Sequence, residues 1–398
     1  IQVAMKSPVH GTDLRGLGSL AIDATLGITD VVEAMHRGIA RIPGTRIEPL
    51  QQRSAGISGL VYRGIRGVTR LVGGGVDRAL SRVAPLLDAS DSARRDAALS
   101  AINGVLGDHL ERSANPLAIA MQLRHCGRKL AINSAALKAD VPDAGGRVLL
   151  LLHGLCMNDR QWLRNGHDHG AALARDLGYT PVYLRYNSGR PIADNAADLS
   201  AMLDALVREW PVEITELAIL GHSMGGLLAR SACRQAAVDD REWLQHLRRI
   251  VFLGTPHAGA PLERGGSRID ALLGASGYTQ ALARIGKIRS AGITDLRHGS
   301  VHDPDQADAP SDAHTQRIGL PEGIDCFAIA ASLSAPGTAT ARLFGDGLVP
   351  VASALGRTAD RKRSLKFPRS QRWIGHRMGH LDLLDRADAY RRIRRWLA

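Results

Sequence analysis

Short, mainly apolar runs alternate with amphipathic segments through the middle of this 398-residue chain. The apolar runs occupy residues 148–152, 181–186, 217–220 and 250–253. Apolar positions recur at helical spacing in the segments between them, at 171–177, 193–210 and 226–233. Buried strands separated by helices are typical of a parallel sheet that is covered on both faces. The pattern therefore predicts an α/β fold with a mostly parallel central sheet.

The chain before this alternation has a helical pattern. Apolar positions recur at helical spacing over 20–39 and 57–83, and the run Gly73-Gly74-Gly75 marks a break in the second series. A third helix is predicted from a cap at Ser92 to Leu110. We therefore divide the chain into an N-terminal helical region at 1–113 and an α/β domain at 114–398.

The α/β domain also contains weaker strands and a long insertion. Two short strands are predicted at 117–123 and 129–132, two late strands at 324–330 and 364–367, and a closing amphipathic helix at 381–397. Residues 259–322 lack strand character and contain short helical patterns. An insertion of this size between two strands predicts a helical lid over a site.

The segment Gly221-His222-Ser223-Met224-Gly225 follows an apolar run and precedes a helical pattern. A strand, a sharp turn and a helix are the context that a nucleophile elbow requires. Such a turn forces the serine backbone into strain and exposes its hydroxyl above the sheet. The alternative is a turn serine that caps the following helix. We predict Ser223 as a nucleophile.

A serine nucleophile needs an imidazole base and a carboxylate that orients it. In folds with such an elbow, the acid and then the histidine follow the serine along the chain. Asp346 stands between two glycines after the 324–330 strand, and His380 precedes the closing helix. We predict these two residues as acid and base. Alternatives remain open for the acid at Asp325, Asp303 and Asp305, and for the base at His376 and His257.

The tetrahedral intermediate of such a reaction needs two backbone N–H donors. One is expected at Met224, directly after the serine, and the other at Leu155, in the turn after the 148–152 strand. We expect His153 to hold that turn by hydrogen bonds and His222 to have a packing or hydrogen-bonding role. The predicted lining of the substrate pocket comprises His153, Gly154, Met157 and His222.

Charge and aromatic content limit the classes of ligand. The formal net charge is +12, carried mainly by arginine, and aromatic residues make up only 4% of the chain. The positive charge favours anionic surfaces such as membrane headgroups, whereas no motif or aromatic platform suggests a nucleic acid. Arg63, Arg66 and Arg70 lie on one side of a predicted N-terminal helix. That helix could contact a membrane peripherally or pack on its own domain.

The chain shows no metal or cofactor motif. Its four cysteines are far apart in sequence and lack metal-ligand spacing: Cys126, Cys156, Cys233 and Cys326. Buried free thiols are expected, which fits a cytoplasmic location, although one disulfide remains open. No run of about 18 apolar residues predicts a transmembrane helix. Because the chain starts at Ile1, without a signal-peptide pattern, export also remains open.

Four motifs together resemble the α/β-hydrolase superfamily: Leu152-His153-Gly154-Leu155, Gly221 to Gly226, Leu253-Gly254-Thr255-Pro256-His257-Ala258-Gly259 and Asp346-Gly347-Leu348-Val349-Pro350. Within it they resemble the bacterial lipase and esterase branch and the related GPI inositol deacylases. The resemblance covers the chain from about residue 116. It implies an α/β-hydrolase fold and serine-dependent hydrolysis of carboxylic esters. It also implies a triad of Ser223, Asp346 and His380, with Leu155 and Met224 as oxyanion donors. The calcium and zinc sites of bacterial lipases have no residue-by-residue match here.

We therefore expect an esterase or lipase that acts through an acyl-enzyme on small-molecule or lipid esters. The apolar residues near the site favour a hydrophobic acyl group. One alternative is an acyltransferase that uses the same triad. A second alternative is a membrane-associated binding protein whose hydrolase site is vestigial.

Overall fold

The computed structural model describes residues 92–259, 290–298, 319–336, 345–358, 360, 362 and 364–398. Several predictions lie outside the described residues. They are the helices before residue 92 with Arg63, Arg66 and Arg70, and most of the 259–322 insertion with Asp303 and Asp305.

The described strands form one eight-stranded sheet with the order β2-β1-β4-β3-β5-β6-β7-β8. The strands are β1 Gln122–His125, β2 Arg128–Lys129, β3 Arg147–Leu152, β4 Thr180–Arg185, β5 Glu216–His222, β6 Leu247–Leu253, β7 Asp325–Ser332 and β8 Arg372–His376. Strand β1 is antiparallel to both of its neighbours, and the pairs from β4 through β8 are parallel. The predicted mostly parallel sheet is confirmed.

Helices connect and cover the strands. They are α1 Ser92–Arg112, α2 Ser134–Asp140, α3 His169–Leu177, α4 Ile192–Glu209, α5 Met224–Val238, α6 Ala291–His298, α7 Val351–Ala354 and α8 Ala387–Leu397. Asn133 and Asp168 cap α2 and α3, because their side chains accept the N–H of Ala136 and Ala171. The helices predicted at 92–110, 171–177 and 193–210 are confirmed within two residues at most of their ends.

Alternate residues of the central strands fill two separate cores. Leu150 and Ile219 belong to the core on one face of the sheet, whereas Leu151 and Leu220 belong to the core on the other face. All four side chains are fully buried. The first core also contains residues of α4 and α5, and the second contains residues of α3 and α8. Burial on both faces explains why these strands are continuously apolar in sequence.

Four of the weaker predictions were wrong in detail. The strand predicted at 129–132 is the two-residue β2, Arg128–Lys129. The strand predicted at 117–123 begins only at Gln122, and the helix predicted at 381–397 is a 3-10 turn at Leu381–Leu384 followed by α8. The strand predicted at 364–367 is absent from the described sheet. Phe367 instead packs into a core from a loop, so its burial arises without strand pairing. The last strand is β8, whose sequence Arg-Trp-Ile-Gly-His has no continuous apolar run.

Helix α1 belongs to the predicted N-terminal region, and it packs against the described α/β body. The Ser290 hydroxyl, directly before α6, donates to the Gly104 carbonyl over 2.7 Å. Ala98, Ala101, Ile102 and Val105 of α1 are buried. The domain boundary near residue 113 stays a prediction.

Candidate active site

Ser223 occupies a sharp turn between β5 and α5. Its φ of 53° and ψ of −121° form a conformation that residues with a side chain rarely adopt. The Ser223 N–H donates to the Leu253 carbonyl at the end of β6 over 2.8 Å. A Cβ at Gly225 would lie 2.3 Å from the Leu152 carbonyl oxygen, so only glycine lets α5 start this close to β3. These contacts fix the strained turn at the carboxyl edge of the sheet.

Asp346 and His380 form a buried pair beside this turn. The His380 Nδ1–H donates to Asp346 Oδ2 over 2.7 Å, and the side chains are only 4% and 0% exposed, respectively. The other carboxylate oxygen accepts the backbone N–H groups of Leu348 (3.0 Å) and Val349 (2.8 Å). Asp346 is therefore fixed by three hydrogen bonds. Among the described residues, His380 Nε2 has no hydrogen-bond partner.

These three residues follow different strands of the same sheet. Ser223 directly follows β5, Asp346 follows β7 and His380 follows β8, in the order nucleophile, acid, histidine. All the intervening strands are parallel, so their carboxyl ends lie at the same edge. The chain has the α/β-hydrolase fold. The predicted fold class is confirmed.

Three of the alternative acids and bases lie within the described residues. Asp325 begins β7 and so lies at the opposite end of that strand, where it accepts a hydrogen bond from Gln371. His257 lies 3.2 Å from the guanidinium of Arg230 and packs against Phe252. His376 is the last residue of β8. In the described part of the chain, His380 is the histidine that pairs with Asp346.

The segment after β3, which we call the β3 loop (residues 153–158), lies against the elbow. A Cβ at Gly154 would be 3.1 Å from Ser223 Cβ and 3.3 Å from Met157 Sδ. The Leu155 amide lies in this loop, and the Met224 amide is the first of α5. Within the described ranges, neither amide donates a hydrogen bond to another protein group.

His153 holds the start of the β3 loop, as expected. Its Nδ1–H donates to the Gly154 carbonyl, and its Nε2 accepts the Tyr186 N–H. The Tyr186 hydroxyl donates to the His153 carbonyl, and the two rings stack 4.3 Å apart. Burial lowers the pKa of His153 to about 4, so the ring is neutral near pH 7. Tyr186 was missed from sequence, because it resembles any other residue at the end of a strand.

His222 connects the elbow to the histidine of the pair. Its Nε2–H donates to the His380 carbonyl over 3.2 Å, and the two rings lie 4.7 Å apart. Burial holds the pKa of His222 well below its usual range, which keeps the ring neutral. The Gly254 backbone adds a second contact, since a Cβ there would lie 3.1 Å from the His380 ring. The contact between Gly254 and His380 was not predicted, although Gly254 belongs to the motif at 253–259.

Comparisons with known proteins show similarity to one domain family and to several solved structures. Residues 121–296, less than half of the chain, match the model of a domain of unknown function, DUF7379. No curated protein matches the sequence. Among solved structures, the mature form of a lipase from Bacillus licheniformis is similar, with 19% identity and a TM-score of 0.40. The match covers 60% of this chain and 86% of the lipase.

Two further solved structures are similar to the same extent. The naproxen esterase of Bacillus subtilis has 14% identity and a TM-score of 0.38, over 63% of this chain and 84% of its own. An esterase from Pyrococcus furiosus has 16% identity and a TM-score of 0.40, over 64% and 82%.

The described residues also bear on metal binding, cysteine pairing and membrane insertion. That part of the chain contains no group of three or more His, Cys, Asp or Glu side chains placed to hold a metal ion. Its four cysteines are unpaired thiols, and Cys126 alone among them is exposed. None of the helices described is both long and apolar enough to cross a bilayer.

Proposed function

We propose that the chain is a serine-dependent carboxylic ester hydrolase, an esterase or lipase that acts through an acyl-enzyme. One observation carries the proposal. A histidine with its Nδ1 fixed by a buried carboxylate and its Nε2 unpartnered among the described residues packs against His222, the residue directly before a serine in a strained elbow turn. This arrangement supports proton transfer from the serine hydroxyl to the imidazole.

The proposed reaction has two halves. His380 Nε2 accepts the Ser223 proton while the Ser223 oxygen attacks the ester carbonyl, and the Leu155 and Met224 amides stabilise the oxyanion. Protonated His380 then donates the proton to the leaving alkoxide. In the second half, His380 takes a proton from a water molecule that attacks the acyl-enzyme, and it returns this proton to the Ser223 oxygen as the carboxylic acid leaves. Asp346 keeps the proton of neutral His380 on Nδ1 throughout.

The substrate class follows from the residues beside the nucleophile. Leu155, Met157 and Met224 are apolar, and Met157 Sδ lies close to Gly154 and the elbow. We propose that this lining accepts a hydrophobic acyl group of a small-molecule or lipid ester. Membership of the lipase and esterase branch, and the relation to GPI inositol deacylases, are part of the same proposal.

The direct test replaces the nucleophile. Ser223→Ala should abolish turnover of p-nitrophenyl esters and labelling by a fluorophosphonate. Ser231→Ala, which changes another buried serine on α5, is the matched control and should keep both. Equal turnover by wild type and Ser223→Ala would refute the proposal.

Acyl transfer is the second candidate that the same geometry supports. Ser223 and His380 are only 2% and 5% exposed, and limited access of water favours transfer of the acyl group to another acceptor. Product analysis with a competing alcohol separates the two reactions. A dominant ester product would favour the transferase, and free acid alone would favour the hydrolase. Peripheral membrane contact through the N-terminal helices stays a prediction.

A further inference from the structure

Helix α1 lies directly against the β3 loop. A Cβ at Gly104 would lie 2.1 Å from Cys156 Sγ and 2.9 Å from Cys156 Cα. The Cys156 side chain therefore packs directly against the helix backbone at Gly104, and the loop backbone lies just behind it. Cys156 itself has a φ of 60°, in the left-handed region, and burial raises the pKa of its thiol to about 12. The thiol is thus a neutral packing group, and the helix presses on the residue after Leu155.

Polar contacts fix the same loop at two more points. The Asn158 side-chain amide donates to the Ser100 hydroxyl of α1 over 3.1 Å. The Cys156 N–H donates to the Ser188 hydroxyl over 3.0 Å. The loop that carries Ser188 is itself held by α1, because the Asn187 side chain donates to the Gly107 carbonyl over 2.9 Å. Helix α1 therefore contacts the β3 loop directly and supports it from the other side.

A buried charge network anchors the first turns of the helix. Asp96 of α1 pairs with Arg185 at 2.9 Å and with Arg160 at 2.8 Å. Asp159, directly after the β3 loop, pairs with Arg185 and, at 3.0 Å, with Arg124. Burial alone would lower the pKa of Arg185, but hydrogen bonds to Asp96 and Asp159 raise it. Arg185 is therefore charged and connects the helix to the end of the loop.

We propose that α1 is a positioning element of the active site, which holds the Leu155 amide in the oxyanion hole through Cys156. Gly104 and Ser100 are the positioning residues, and neither of them touches the substrate. The catalytic part of this inference rests on the proposed function. The α/β-hydrolase fold itself does not require a helix at this place. The arrangement therefore gives a role to α1, a segment that precedes the first strand in the sequence.

The central variant is Gly104→Ala in the full chain, and Gly170→Ala is the matched control. Gly170 is also a helical glycine, and a Cβ there would lie 2.4 Å from the Tyr183 hydroxyl, away from the β3 loop. We expect Gly104→Ala to lower kcat for a p-nitrophenyl ester by about 10-fold or more and to change KM by less than about 2-fold, because an oxyanion donor acts mainly in the transition state. Gly170→Ala should lower the melting temperature similarly and leave kcat within about 2-fold of wild type.

A rescue variant separates positioning from general destabilisation. Cys156→Gly removes the sulfur, which is the nearest atom that the new methyl group would meet, and leaves the Cα at 2.9 Å, so the expected rescue is partial. Glycine also tolerates the positive φ at this position. In the double variant we expect kcat at least about 3-fold above that of Gly104→Ala, because the two sites are in contact and their effects are not additive. Loss of kcat no greater than in Gly170→Ala, or a double variant that recovers nothing, would overturn the proposal.

Amide hydrogen exchange provides a readout that does not depend on activity. Gly104→Ala should speed exchange at residues 153–158 more than Gly170→Ala does. If Gly104→Ala does not fold, Ser100→Ala takes its place, since it removes the bond to Asn158. Unchanged exchange in the loop contradicts the positioning role. If Ser223→Ala is as active as wild type, the proposed function fails, and the exchange data still decide whether α1 orders the loop.

Discussion

Replacing Asp346 with Asn tests the proton arrangement on His380 with almost no change in shape. In the wild type, Asp346 Oδ1 accepts two backbone N–H groups and Oδ2 accepts the His380 Nδ1–H. An Asn side chain keeps the two backbone bonds only if its oxygen takes the Oδ1 position. Its NH2 group then faces His380 Nδ1. That nitrogen must become the acceptor, and the ring proton moves to Nε2.

A histidine protonated on Nε2 cannot accept the serine proton. The expected loss in kcat is about 10⁴-fold, or about 5.4 kcal/mol in the activation free energy, because the wrong tautomer blocks the base. KM should stay within a few-fold, since Asp346 is buried behind His380. The assay is hydrolysis of a p-nitrophenyl ester over a range of substrate concentrations, with the melting temperature measured in parallel.

Asp239→Asn is the matched control for this substitution. Asp239 lies on the surface, where it pairs with Arg241, and the change should leave kcat within about 2-fold of wild type because exposed ion pairs contribute little. If folded Asp346→Asn retained more than a tenth of the wild-type kcat, the role of the carboxylate in fixing the tautomer would be wrong.

Two further predictions concern stability. Ser223→Gly should raise the free energy of unfolding by about 1 kcal/mol, because glycine relieves the strain of the elbow at φ 53°. A chemical denaturation midpoint at or below that of the wild type would contradict this. Burial lowers the pKa of His169 to about 4, so the unfolded chain binds this proton more readily than the folded chain. The resulting stability is complete above pH 6.5 and should be lost as the pH falls to about 4, by up to about 3 kcal/mol from this group. Melting temperatures measured from pH 7 to 4 should fall more steeply for wild type than for His169→Gln, and parallel curves would refute the assignment.

The central strands were predictable because burial on both faces leaves a continuous apolar run. Strand β3, for example, reads Arg-Val-Leu-Leu-Leu-Leu, and its last five residues are buried. Strand β8 was not predictable, because it lies at the edge of the sheet and four of its five residues are only half-buried. Phe367 caused the opposite error, a strand predicted where none forms, because this apolar residue is buried although it lies in a loop.

The candidate site was predictable as a set of residues, because strand order constrains which loops meet at one edge. The pairing of Asp346 with His380 was predicted from the sequence. Its length, and the two backbone amides that fix Asp346, were not. The role of α1 had no sequence signal. Gly104 and Cys156 are 52 positions apart, and a contact between two small residues produces no periodic apolar pattern in the sequence.

The charges around Arg185 have an evolutionary consequence. Asp96, Asp159, Arg124 and Arg185 are all largely buried, and they come from an α-helix, a 3-10 helix and two strands. A single neutral replacement would leave an unpaired ion buried away from water, which lowers the free energy of unfolding by several kcal/mol. Simultaneous replacement of the whole group by apolar residues of similar volume is tolerated. Relatives of this chain should therefore inherit these four positions together or lose them together. In an alignment of relatives, such linked substitutions would show which relatives still carry a helix equivalent to α1.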